Sequence, residues 1–514
     1  MFAACAIELP GQCCRRSFFI AEKKSMQLNL SLDDVRRTGR EQNARLVPVA
    51  GEMLSDLLTP IDIVRILRLV SEHVFLFESV EDKEHWGRYS FLGFRPRLCV
   101  TARAGELYLN GEKATGEHNP NTYLRKLLSE HKSARVPGLP SFTGGFVGYF
   151  AFDYLGYSEP TIRFPQEDAE GFQDLDLMMF DRLIAFDHLR QKILLIANVD
   201  TDDVEQSYAQ AERDILEMRN LLRRQDRFTP PAGRLLGPIE PLFEKTRFCE
   251  MVERAKRSIF EGDIFQIVLS NRFSAPYEGS LFNTYRLLRT INPSPYLFYL
   301  SGTDVEVAGA SPETLVKLED GVLHTFPLAG TRPRGKTPEE DRRLEAELLS
   351  DEKELAEHNM LVDLGRNDLG KISRFSSVKV EKLRVIERFS HVMHIGSTVR
   401  GEIREDCDAL DAINAVLPAG TLSGAPKIRA CQLISELEGN KRGIYGGAIG
   451  YIGFDGNMDT CIAIRIAYRK NGRVYVRSGA GIVADSVPEN EYTECVNKAK
   501  AVVRALEQAQ EEDL

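Results

Sequence analysis

YGGAIGYIGFDGNMDTCIAIRIAYRKNGRVYVRSGAGIVADS, residues 445–486, is a run of short apolar and aromatic segments broken by glycine-bearing turns. That pattern reads as a hairpin-rich sheet, and a helix from Pro488 to Gln508 follows it. Further back, GDIFQIVLSNRF, SPYLFYL and VEVAGASPETLVKL read as strands after a helix over Lys245 to Glu261. Nearer the start, Pro60 to Leu69 reads as a short amphipathic helix and His73 to Glu81 as a buried strand. Arg88 to Ala114 reads as a meander whose Asn110-Gly111 marks a hairpin turn. Phe142 to Gly156 is a glycine-rich aromatic strand, Leu177 to Val199 gives two more strands, and Asp202 to Gln225 a polar-faced helix. Strands in clusters with helices between the clusters predict an α+β fold with antiparallel sheets.

Pro- and Gly-rich Arg227 to Leu242 reads as a linker. The chain therefore divides into a disordered tail at 1–45, with an extension ahead of Met26, a domain at 46–235 and a second domain at 236–514. Of 514 residues, 43% are hydrophobic and 28% charged, an ordinary globular composition. A formal net charge of -10 argues against nucleic acid or an anionic membrane as partner. Nine cysteines form no CxxC pair and no cluster with histidine, so a reducing cytoplasm is expected and structural zinc is not. No apolar run approaches the ~18 residues of a membrane span.

Gly330 to Thr337 satisfies the phosphate-loop pattern GxxxxGK[ST]. The helix behind it opens with Pro338, Glu339, Glu340 and Asp341, which would repel a triphosphate, so Thr337 is better read as an N-cap with Glu340 closing a capping box. A more informative stretch is DEKELAEHNMLVDLGRNDLGK, Asp351 to Lys371, a helix with Ser350 as the expected N-cap. Its Glu357 shares a face with Met360, Leu361 and Leu364, where a carboxylate needs a cation, a donor network or a metal. On the last helix Glu491, Glu494 and Lys498 also share a face. Two glutamates from separate helices with water suit magnesium. GASPE, PLAGTRPRG, LPAGTLSGAPK and RSGAGIV can bring backbone N–H groups to an anion, and His394, in VMH, and Glu313 can transfer protons.

Together GDIFQIVLS, GASPE, PLAGTRPRG, AEHNMLVDLGRNDLGK, VMH, LSGAPKIRA, YGGAIGYI and SGAGIVADSVPENEYTEC resemble the chorismate-utilising enzymes, in particular the anthranilate-forming branch. The resemblance runs from about Leu46 to the end. It implies two large antiparallel sheets packed face to face with helices outside. It also implies an Mg2+-dependent reaction of chorismate and ammonia that gives anthranilate and pyruvate at the start of tryptophan biosynthesis. By the same resemblance Glu357 and Glu494 are the magnesium ligands, and Gly330, Thr331, Thr421, Tyr445, Arg465, Gly479, Ala480, Gly481 and Lys498 contact substrate. Glu313 is the general acid for the departing C4 hydroxyl, and His394 serves the loss of pyruvate. Gln266 stands where isochorismate- and salicylate-forming relatives use a lysine to activate water. Ala329 stands where aminodeoxychorismate-forming relatives often carry a nucleophilic lysine; these activities are the alternatives. Glu78, Ser79, Pro295, Tyr296 and Leu297 match the two halves of a tryptophan feedback pocket, with Phe77 and Leu297 departing from the usual leucine and methionine. None of the nine cysteines has glycine on both sides, so a separate glutamine amidotransferase subunit, and hence a hetero-oligomer, is expected to supply the ammonia.

Overall fold

The computed structural model describes residues 26–79, 87–116, 119–165, 168, 170–389 and 392–511. Its centre is a pair of large sheets in which the paired strands are antiparallel. The thirteen-stranded sheet runs in the order Leu46–Leu54, Lys192–Asp200, Arg182–Asp187, Tyr89–Phe94, Val74–Glu78, Tyr296–Ser301, Glu306–Ser311, Ile466–Lys470, Arg473–Ile482, Gln266–Glu278 and Arg234–Leu235. Glu240–Pro241 and Gly424–Ala425 also pair with Gln266–Glu278. The twelve-stranded sheet runs Leu328–Pro333, Val392–Glu402, Val322–Thr325, Thr314–Glu319, Met458–Ile462, Ala448–Gly453, Gly145–Phe150, Leu175–Phe180, Leu98–Arg103, Glu106–Leu109 and Glu112–Lys113, with Lys379–Arg388 also on Val392–Glu402. Strands from either side of residue 236 are neighbours in both sheets.

Alternation along each strand sorts side chains to two faces. In Gly145–Phe150, Val147 and Tyr149 point to the layer between the sheets, where they join Phe75, Phe91, Phe298, Ile449 and Tyr451. Phe146 and Phe150 point outward, against Leu410 and Ile413 of the helix Ala409–Val416. Helices Pro60–Leu67, Val204–Leu222, Phe282–Ile291 and Pro488–Glu511 cover the outside of the first sheet. Pro120–Glu130, Glu352–Gly370 and Ala409–Val416 cover the second. The result is an α+β sandwich of helices, sheet, sheet and helices, as the strand clustering predicted.

Several expectations need correction. Residues 32–41, placed in the tail, form the helix Leu32–Glu41, held by a capping box between Ser31 and Asp34 and by fully buried Val35. With so few apolar residues in LDDVRRTGRE, sequence periodicity carries little signal; residues 1–25 lie outside the described residues. Leu177 to Val199 belongs to three strands rather than two, because at Asp181 the chain crosses from the twelve-stranded to the thirteen-stranded sheet and the turn after Asp187 reverses it. The linker contributes two short strands, so it is tied to the sheet rather than free. Ser350 ends one helix, and Asp351 caps the next, its carboxylate accepting from the amides of Lys353 and Glu354. At the phosphate-loop match Thr337 caps as expected, while Glu340 accepts from the amide of Lys336 and Asp341 from that of Gly335. The N-terminus that a phosphate would need is filled by the helix's own carboxylates.

Candidate active site

Glu313 and Arg465 sit where the chain crosses from one sheet to the other. Glu313 lies between Glu306–Ser311 of the first sheet and Thr314–Glu319 of the second; Arg465 lies between Met458–Ile462 and Ile466–Lys470. The crossings are bonded to each other, the Ile462 amide donating to the Glu313 carbonyl at 2.9 Å and the Ala310 amide to the Arg465 carbonyl at 3.2 Å. Arg465 takes a left-handed backbone, φ 53°, an uncommon conformation for a non-glycine residue. Its guanidinium donates to Asn292 Oδ1 at 3.3 Å.

The Glu313 carboxyl is nine per cent exposed. Thr421 Oγ1 donates to it, with 3.2 and 3.3 Å to its two oxygens. Burial pushes its pKa up to about 8, against the opposing pull of the Thr421 hydrogen bond and of Arg465 and Lys498. A carboxylic acid still protonated at neutral pH is what a general acid requires.

His394 is set by a bulge. Leu328–Pro333 pairs with Val392–Glu402 through Ala329↔Ile395 and then Arg332↔Met393, which leaves Gly330 and Thr331 out of register. Gly330 has φ +64°, and its carbonyl accepts from His394 Nδ1 at 2.8 Å, with Thr331 Oγ1 3.2 Å from the same nitrogen. The carbonyl has no proton to give, so Nδ1 carries the hydrogen and Nε2 keeps its lone pair. Burial first, and then Arg465, lowers the His394 pKa and keeps the ring neutral.

The glycine edge has its own physical cause. In the antiparallel pairing Ser270 faces Gly479 and Val268 faces Gly481. A side chain at Gly479 would come 2.8 Å from the Leu269 carbonyl and 3.0 Å from the Tyr445 hydroxyl, and one at Gly481 2.8 Å from Gln266 Nε2. Ala480 is fully buried in the core, so only its backbone borders the site. Lys498 Nζ donates to the Gly479 carbonyl at 3.2 Å and pairs with Glu494 at 2.6 Å.

Gln266, four per cent exposed, donates from its amide to Glu357. Burial raises the Glu357 pKa, Glu354 adds to the rise, and Gln266 and Lys498 oppose it. Glu491 is likewise raised by burial, with Glu494 adding to it. Carboxylates from two helices thus converge around Lys498. Among the described residues no three His, Cys, Asp or Glu side chains are grouped to hold a metal ion. The donor set is carboxylate oxygen only, which fits a cation that completes its shell with water.

The two segments expected to form a tryptophan pocket lie side by side, Leu297 standing opposite Glu78 across the pair Val74–Glu78 and Tyr296–Ser301. Glu78 is buried and accepts from the Tyr285 hydroxyl at 2.5 Å and from Arg289 Nη2 at 3.1 Å. The Tyr296 hydroxyl donates to Asp459 at 2.8 Å.

Two arrangements escaped the sequence reading. Asp368 is buried and accepts from Lys427 Nζ at 2.6 Å, joining the helix Glu352–Gly370 to the loop that carries Thr421. Beneath Tyr445, Glu438 forms a buried cluster with Arg442 and Arg477. The available signal was ELEGNKR, in which Arg442 follows Glu438 at i+4.

This geometry agrees with the sequence model of the chorismate binding enzyme family, which matches residues 73–504. The chain belongs to that family. Among similar proteins, anthranilate synthase component 1 of Acetivibrio thermocellus is 45% identical over 94% of this chain and 99% of its own, and that of Aquifex aeolicus is 44% identical over 95% and 99%. Anthranilate synthase component I from Streptococcus pneumoniae TIGR4 superposes with a TM-score of 0.74 at 40% identity, covering 88% of this chain and 99% of its own. The menaquinone-specific isochorismate synthase of Escherichia coli shares the fold, at a TM-score of 0.67 and 18% identity over 93% of this chain and 100% of its own.

Proposed function

We propose that the chain is the large subunit of an anthranilate synthase, which converts chorismate and ammonia to anthranilate and pyruvate. The observation that carries this reading is a buried protonated acid, Glu313, and a neutral histidine, His394, with its proton on Nδ1, both within electrostatic reach of Arg465. Arg465 and Lys498 supply positive charge for a dianionic substrate, and the Gly479–Gly481 edge supplies backbone at close approach.

Hydroxide is a poor leaving group, so Glu313 gives its proton to the C4 oxygen as ammonia adds at C2. His394 Nε2 then takes the proton from the carbon that bears the new nitrogen, the enolpyruvyl group leaves, and the ring becomes aromatic. Glu357 and Glu494 would hold Mg2+, which when bound supplies charge for the ring carboxylate. Gln266 is no base for water and Ala329 no nucleophile, which supports amination over the alternatives. The described cysteines offer no glycine-flanked nucleophile, so a separate glutaminase subunit provides the ammonia. Tryptophan binding between Glu78-Ser79 and Pro295–Leu297 makes the product of the pathway its inhibitor. No helix of the described residues is long and apolar enough to cross a membrane, and a cytoplasmic site of action fits free thiols.

The test is product identification. Chorismate, Mg2+ and ammonium are expected to give fluorescent anthranilate. An aminated, non-aromatic product that retains its enolpyruvyl group, or turnover without ammonium, overturns the reading.

A further inference from the structure

The cluster beneath the site reaches two sides of it, the Thr421 loop and the Gly479–Gly481 edge. Glu438 closes the helix Lys427–Glu438, and both its oxygens are buried. Oε1 accepts from the Ser270 amide at 2.8 Å, from Ser270 Oγ at 2.9 Å and from Arg442 Nη2 at 2.6 Å; Oε2 accepts from Arg442 Nε at 3.0 Å and from Arg477 Nη2 at 2.7 Å. Arg442 spends two further donors on carbonyls, Leu422 and Val268, each at 2.7 Å. Its guanidinium lies over the rings of Phe152 at 4.5 Å and Tyr445 at 6.0 Å. Arg477 donates to Ser270 Oγ at 2.8 Å, to Asn440 at 2.9 Å and to the Lys441 carbonyl at 3.0 Å.

These are not arbitrary anchor points. Leu422 follows Thr421, the donor to Glu313. Ser270 is the strand partner of Gly479, and Tyr445 borders the same glycine. A buried ion cluster is weak evidence for stability, since well-packed apolar groups can replace one without loss. Its geometry here has another use.

We propose that Glu438, Arg442 and Arg477 form a positioning centre for the reaction: the Arg442 fork fixes the loop that holds Thr421 under Glu313, and Ser270 with Arg477 fixes the Gly479–Gly481 edge. None of the three touches the reacting atoms. The inference rests on the chorismate reading of the site.

Arg442→Lys separates this role from plain stability. Lysine keeps the charge beside Glu438 and Phe152 but has no fork with which to hold Glu438, Leu422 and Val268 at once. With Thr421 released, Glu313 loses the hydrogen bond that draws its pKa down, while Arg465 and Lys498 still face it. The alkaline limb of the kcat/KM profile is therefore expected to move to higher pH, and kcat to fall by about tenfold for a misplaced donor. Thr421→Val is expected to move the limb the same way, and the double variant to be no worse than the poorer single one, because both act through one contact. Ser270→Ala, a smaller change, is expected to raise KM severalfold with kcat little altered.

Folded Arg442→Lys with an unmoved limb, or with losses that multiply with those of Thr421→Val, overturns the proposal. If Arg442→Lys does not fold, Ser270→Ala decides: a severalfold raised KM with kcat little altered in the folded variant supports it, and an unchanged KM, or a kcat that falls with KM unmoved, overturns it. Wild-type protein that makes no anthranilate sinks the functional reading instead, so the two failures are distinct.

Discussion

Glu313 is held where a carboxylate is unwelcome, and replacing it with glutamine is expected to raise stability while abolishing activity. Its pKa moves from an ordinary glutamate value of 4.5 to about 8 on folding, with burial the leading cause. The folded state therefore binds a proton more tightly than the unfolded chain. Stability tied to that proton is complete below pH 4.5 and is lost as pH rises through about 8. At about 1.4 kcal/mol per tenfold, the gap between 4.5 and about 8 comes to about 5 kcal/mol once both forms are ionised, and about 3 kcal/mol at pH 7. Glutamine stays neutral and avoids this cost. Urea unfolding of wild type and Glu313→Gln between pH 5 and 9 should show the difference widening in favour of the variant by a few kcal/mol, on top of any constant offset. A difference that does not change with pH refutes a raised pKa at Glu313, and with it the case for a general acid there. The kinetic counterpart is a kcat/KM, measured at fixed free ammonia, that declines above pH about 8.

Glu357→Gln and Glu494→Gln are each expected to remove Mg2+ binding, read by calorimetry, and to lower turnover at least about a hundredfold with the fold intact; heat of binding equal to wild type in either places the metal elsewhere. His394→Gln is expected to accumulate an aminated intermediate that keeps its enolpyruvyl group, seen by mass spectrometry, because proton removal rather than amination is blocked. Ser79→Phe is expected to weaken tryptophan inhibition with turnover largely kept. At Glu78 the sound probe is glutamine, since lysine would bury a second cation beside Arg289. Asp368→Ala strands Lys427 without its buried partner and is expected to cost about 3–5 kcal/mol of stability in denaturant titration.

The sheets were legible because alternating apolar residues and glycine turns leave a period of two in the sequence, as in 445–486. Glu357 was legible as an acid on an apolar helix face, although only the motif resemblance paired it with Glu494. The Leu32–Glu41 helix was not, because its hold on the sheet is through few apolar residues within a charged segment. The Glu438 cluster was hidden for a related reason: a helix ending in Glu with Arg four residues on reads as a solvated pair, and only tertiary packing shows that both are buried. Asp363 and Arg366, equally prominent in the motif, do make such an exposed pair, whereas Asp368 a few residues later is buried. Position on the helix, not residue type, separates the two outcomes.

Val74–Glu78 is flanked by Tyr89–Phe94 on one side and by Tyr296–Ser301, more than two hundred residues later, on the other. During synthesis the first half of the chain therefore emerges with the apolar strand VFLFE paired along one edge only, its other edge open until the later segment has left the ribosome. Such long-range pairing is slow, and exposed strand edges invite association between nascent chains. A gene cut near residue 236 would accordingly yield two fragments that aggregate apart and become soluble only when made together.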